Sequence, residues 1–109
     1  MMRQAYVSGK YSGATDGDVL LHVRNALVSA TLLLDHGWLP VVPHVSMDHG
    51  TDYAEALEKD KLLLLSLHPR RDALVLLPGW EASPGARLEK AYAERIHLRV
   101  LTLEEALVC

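Results

Sequence analysis

Apolar and polar positions along this 109-residue chain follow two alternating rhythms. Short, largely apolar runs at residues 5–8, 38–42, 73–77 and 98–101 are too brief for surface helices and fit strands covered on both faces. Between them, apolar residues recur at helical spacing. Asp16 or Asp18 can cap a helix to about Asp35, with Val19, Val23, Ala26, Leu27, Ala30, Leu33 and Leu34 on its core side and Gly37 as its stop. A second helix is predicted from Thr51 to Leu67, its stripe reading Tyr53, Ala56, Leu57, Leu64 and Leu67. Ser83 followed by Pro84 marks a third start, running to about Ile96, and a last short helix begins at Thr102. Strand and helix alternating in this way predict an α/β fold: one Rossmann-like (flavodoxin-like) domain over residues 1–109, with a parallel sheet of four to five strands and right-handed crossovers.

Two of the predicted helices place an acid where the stripe calls for an apolar residue. Asp60 completes the spacing of the second helix, and Glu89 shares the face of Ala86, Tyr92, Ala93 and Ile96 on the third. Both acids point inward. Their helices flank the strand at 73–77, so the pair can meet above its carboxyl end, where open α/β sheets place their ligands. Two carboxylates so placed are the equipment of a glycosidase, although an inward acid can also serve as the partner of a buried arginine. At the start of the third helix, the hydroxyl of Ser83 and the amides of Gly85 and Ala86 form a place for a phosphate or carboxylate. Gly9 and Lys10, in the loop after the first strand, add backbone donors and a cation to the same anion site.

Composition narrows the alternatives. With a formal charge of −3 and a pI near 6.0 there is no basic footprint for nucleic acid. The longest apolar runs, at residues 62–65 and 73–77, fall far short of the roughly 20 residues that span a bilayer, and no signal-peptide core opens the chain. A cytoplasmic protein without membrane partners is expected. One cysteine, Cys109, excludes an intrachain disulfide and suggests no catalysis. His44, Asp48 and His49 include metal-ligand types, but no further cluster supports a metal, and His49 is read as a substrate-contacting loop residue. The remaining histidines, His22, His36, His68 and His97, read as surface or helix-end residues. The basic turn at residues 68–71 reads as solvated charge without a role. Trp80, beside the turn at Gly79, is either a stacking surface for a base or an aromatic packed over a loop.

The stretch Leu-Pro-Gly-Trp-Glu-x-Ser-x-Gly-Ala-Arg-x-Glu at residues 77–89, the opening Ala5-Tyr6-Val7-Ser8-Gly9 and the helix acid before the third strand resemble the nucleoside 2-deoxyribosyltransferase superfamily. Within it the chain is similar to deoxynucleoside 5'-monophosphate N-hydrolases. That resemblance implies Glu89 as nucleophile, Tyr6 as its hydrogen-bonding partner and Ser83 as a phosphate contact. It also implies Asp60 as the acid that protonates the leaving base, matched approximately across a slightly longer segment around residues 68–71. A serine at position 83 favours a phosphorylated sugar, since transferases of free nucleosides tend to carry an acid there. The function so implied is cleavage or exchange of the N-glycosidic bond of a nucleoside 5'-monophosphate, with no metal or organic cofactor. A homodimer or larger assembly is implied too, with residues 102–109 near the interface. One alternative is a non-catalytic nucleotide-binding or sensor module, which two acids beside an anion would not serve. The other is a phosphoribohydrolase, whose turn needs glycine where Trp80 stands.

Overall fold

A computed structural model of the protein describes residues 2–10, 15–43 and 53–109. Four strands, β1 (Arg3–Ser8), β2 (Trp38–Val41), β3 (Ala73–Leu76) and β4 (Arg99–Thr102), form a parallel sheet in the order β2-β1-β3-β4. The helices are α1 (Asp16–Asp35), α2 (Tyr53–Leu65), α3 (Pro84–Arg95) and α4 (Leu103–Val108), and a 3-10 turn at Trp80–Ala82 leads into α3. This is the α/β architecture that the alternation predicts. The order places β1 beside both β2 and β3, so the chain changes direction across the sheet between β1 and β3, where doubly wound folds bind ligands at the carboxyl ends.

Strand periodicity divides the core into two layers. Ala5 and Val7 of β1 and Ala73 and Val75 of β3 pack with Ala26 and Leu33 of α1, Trp38 and Ala106 of α4. The alternate residues, Tyr6, Leu74 and Leu76, face Leu64 of α2, Ala93 of α3, and Leu67 and Leu98. Both faces of the sheet are therefore covered, which is why its strands read as nearly continuous apolar runs.

The structure shifts several predicted boundaries. Thr15, not Asp16 or Asp18, caps α1: its hydroxyl accepts from the Asp18 amide at 3.1 Å while Asp18 accepts from the Thr15 amide at 3.2 Å. The predicted cap of α2 at Thr51 lies outside the described residues. Leu67 belongs to the turn after α2, yet is buried as predicted. On α1 the core side is Ala26, Ser29, Ala30 and Leu33, whereas Leu27 and Leu34 are 46% and 50% exposed. Those two were assigned to the core because α1 is apolar almost all round, which blurs the phase of its stripe. By length and composition α1 also meets the test for a membrane-crossing helix, although the chain has no equally long unbroken apolar run. One face of α1 is nevertheless committed to the sheet through Ala26 and Leu33, both fully buried.

The basic turn at 68–71 is also more than solvated charge. Asp72, fully buried at the entrance to β3, accepts from the Gln4 amide at 2.7 Å and the His68 amide at 2.7 Å. Arg71 grips the same carboxylate with Nε at 2.9 Å and Nη2 at 3.2 Å. Burial alone would push this acid up; the Arg71 pair and the two amides outweigh it and hold Asp72 at about 2.

Candidate functional site

Tyr6 and Ser8 are two residues apart on β1, so both side chains leave the same face of the sheet. Across from them α3 runs over the sheet with Ala86, Glu89 and Ala93 as its buried residues. Glu89 is thus delivered to the two hydroxyls. Tyr6 Oη donates to Glu89 Oε2, and Ser8 Oγ donates to Glu89 Oε1 at 2.7 Å. The tyrosine and the serine are fully buried, and Glu89 is 8% exposed. Each carboxylate oxygen of Glu89 has its own donor, which fixes the plane of the group.

Asp60, half-buried on α2, completes the constellation. Its charge and hydrogen bonding bear on both Glu89 and Tyr6. Burial pushes Glu89 up; the two hydroxyl donors pull the other way, the negative charge of Asp60 pushes further, and the acid stands at about 8. Tyr6 is raised well above the usual phenol range, first by burial and then by the charges of Glu89 and Asp60, so it remains a donor. Two inward acids predicted from separate helices thus form one interacting pair. A cleft of about 370 Å³, lined by both acids with Lys61, Leu64, Leu88, Tyr92 and Arg95, opens on them between α2 and α3.

The pair has a consequence for pH. A carboxylate raised to about 8 holds its proton at neutral pH in the empty site, and only the ionised form is a nucleophile. A reaction in which Glu89 attacks while Asp60 donates a proton needs the one proton that the pair holds, so its kcat/KM should fall as pH rises through about 8, where that proton leaves. A profile flat from pH 5 to 9 would show that the reaction does not need that proton.

The other predicted residues have different surroundings. Ser83 caps α3 as predicted, its hydroxyl oxygen accepting from the Ala86 amide at 3.2 Å with Pro84 as the first helical residue. Gly85 lies half-buried beside it. Gly9 is buried where β1 passes close to β3: a Cβ there would lie 3.0 Å from the Leu77 Cβ, and the Leu77 amide donates to the Ser8 carbonyl at 2.8 Å. Its glycine identity has a packing cause. Lys10 is exposed and lines a second cleft of about 420 Å³ on the α1 side, with His22, Asn25 and the turn at Pro78 and Gly79. Trp80 is half-buried against the Tyr6 and Leu76 cluster, with Lys90 Nζ 5.7 Å from its ring centre, so much of its surface serves packing. His49, like His44 and Asp48, lies outside the described residues.

Ser8 is the residue that sequence reasoning missed. The signal was present, since a polar residue two positions after Tyr6 on a strand must share its face.

A search of curated proteins returns no match to this chain. The signature of one family spans residues 3–102, from the start of β1 to the end of β4, and so contains both acids and both hydroxyls. The chain belongs to that family, described as a domain of unknown function, DUF4406.

Proposed function

We propose that this protein cleaves, or exchanges, the N-glycosidic bond of a nucleoside 5'-monophosphate. The observation that carries the reading is the buried Glu89, held at both oxygens by Tyr6 and Ser8 and paired with Asp60 beside an open cleft. The similarity of residues 5–9 and 77–89 to the nucleoside 2-deoxyribosyltransferase superfamily points the same way. In the proposed reaction a Glu89 oxygen attacks the anomeric carbon while the carbon–nitrogen bond breaks, its electron pair leaving with the base. The one proton that the pair holds in the empty site, on Glu89, passes to Asp60 as substrate binds, and Asp60 supplies it to that nitrogen. Water, or the nitrogen of an acceptor base, then displaces Glu89 from the same carbon after losing its own proton to Asp60, with net retention. Positive charge develops on the sugar as the bond breaks, and the Glu89 carboxylate, oriented by the Tyr6 and Ser8 hydroxyls, stabilises that charge.

The 5'-phosphate is assigned to the start of α3. Ser83 accepts from Ala86 and so keeps its hydroxyl proton for a phosphate oxygen, while the positive end of the helix dipole faces the same point. Incubation of the purified chain with a panel of nucleoside 5'-monophosphates and their nucleosides should release free base, measured by chromatography, faster from the phosphorylated partner of each pair. Release from none of them would discard the proposal. In Ser83→Asp the cap is preserved, because aspartate caps as well as serine, but a negative charge then meets the phosphate. That variant should reverse the preference; an unchanged ratio of kcat/KM would place the phosphate elsewhere.

A further inference from the structure

The exposed face of α1 carries more large apolar surface than any other described element. Leu20, Leu21, Leu27, Val28, Leu32 and Leu34 are between 39% and 69% exposed, although the opposite face of the same helix is packed against the sheet. Single exposed leucines are ordinary, but six large apolar side chains exposed along one helix mark an interaction surface. Its order is regular. Leu20, Leu27 and Leu34 recur every seven residues along one ridge, Leu21 and Val28 do so along a second, and Arg24, Thr31 and Asp35 run between them.

We infer that this face binds a second copy of the chain, α1 against α1, antiparallel about a two-fold axis between Leu27 and Val28. The choice of partner comes from the charges. About that axis each ridge meets its own copy, Leu27 against Leu27 of the partner subunit, Val28 against Val28 of the partner subunit and Leu20 against Leu34 of the partner subunit, while Arg24 stands opposite Thr31 of the partner subunit. Asp35 of the partner subunit is then one turn further on, within reach of the Arg24 guanidinium. Two-fold symmetry makes the contact twice, so the two charges between the ridges are neutralised by the same residues of the other copy. A lipid surface would instead have to take Arg24 and Asp35 into an apolar medium without each other. The interface so placed is on α1, not on the C-terminal segment that the resemblance implies, and it is independent of the chemistry proposed for Glu89.

Sedimentation equilibrium of the full chain should show a dimer at tens of micromolar. Arg24→Glu puts an acid against Asp35 of the partner subunit, and Asp35→Lys puts a base against Arg24 of the partner subunit. Each single change should weaken the dimer by about tenfold or more, since the repulsion occurs twice. The double variant R24E/D35K should restore the dissociation constant to within about threefold of wild type. Glutamate and lysine are good helix formers, and circular dichroism establishes that each variant is folded. A monomeric wild type, a dimer indifferent to all three variants, or single losses without rescue in the double variant would each overturn the proposal. So would a monomer that pellets with phosphatidylcholine–phosphatidylglycerol vesicles, which would make this face a lipid contact.

Discussion

Glu89→Gln should lower base release by about a thousandfold or more, because an amide cannot form the glycosyl ester and removing a covalent catalyst costs orders of magnitude. The same variant should be more stable than the wild type at alkaline pH. Burial raises the folded acid from its ordinary value of 4.5 to about 8, so between those limits the unfolded chain has released a proton that the folded chain still holds. Stability of the wild type therefore falls as pH rises through that window, and the glutamine variant escapes the loss. A gain on the order of 5–10 °C in Tm at pH 8.5, shrinking towards zero near pH 5, is the expected pattern. Activity within about tenfold of wild type would remove Glu89 from the role of nucleophile. A Tm difference independent of pH would mean that its burial does not hold a proton.

Asp72→Ala should cost about 2–4 kcal/mol of folding stability, chiefly because amides left without their acceptor cost about 1–3 kcal/mol each, while the contact to the part-exposed Arg71 adds little. The substitution removes the contact to Arg71 and leaves the Gln4 and His68 amides without this acceptor at the point where β1, β3 and the turn after α2 converge. For a domain of this size that is a fall in Tm of roughly 10 °C or more, read by thermal or urea denaturation. The pH dependence has the opposite sign to that of Glu89. Asp72 is depressed from 3.8 to about 2, so its contribution is complete above about 4 and is lost as the acid is protonated towards pH 2. The wild type should lose that increment on acidification and the alanine variant should not. A loss below about 1 kcal/mol at pH 7 would show that these contacts merely break even with solvent.

The separation of these two acids explains what could be read before the structure. Glu89 was legible because it interrupts an apolar stripe, and such an interruption names both the residue and the direction it faces. Ser83 was legible because a hydroxyl followed by proline is a local signal for a helix start. Asp72 was not, since two of its partners, Gln4 and His68, are backbone amides, and the first is 68 residues away. Nothing in the spacing of side chains announces a carboxylate that serves amides. The phase of α1 was misjudged for a different reason. Leucines occupy both its buried and its exposed sides, so periodicity alone could not tell which row the sheet would take.

The hydroxyls of Tyr6 and Ser8 belong to a strand hydrogen-bonded along both edges, with a packed layer above and below it. Such a strand opens only when the whole domain opens, so its amides belong to the slowest class of hydrogen exchange. Pro78, Gly79 and, in the 3-10 segment after them, Glu81 and Ala82 are exposed, and Trp80 is the half-buried residue that ties the segment to the core. Among the described residues, the strip between β3 and α3 can thereby fluctuate locally over a floor held on both sides. Entry and departure of the phosphate proposed for the start of α3 would proceed by local fluctuation of that strip while the carboxylate beneath keeps its orientation.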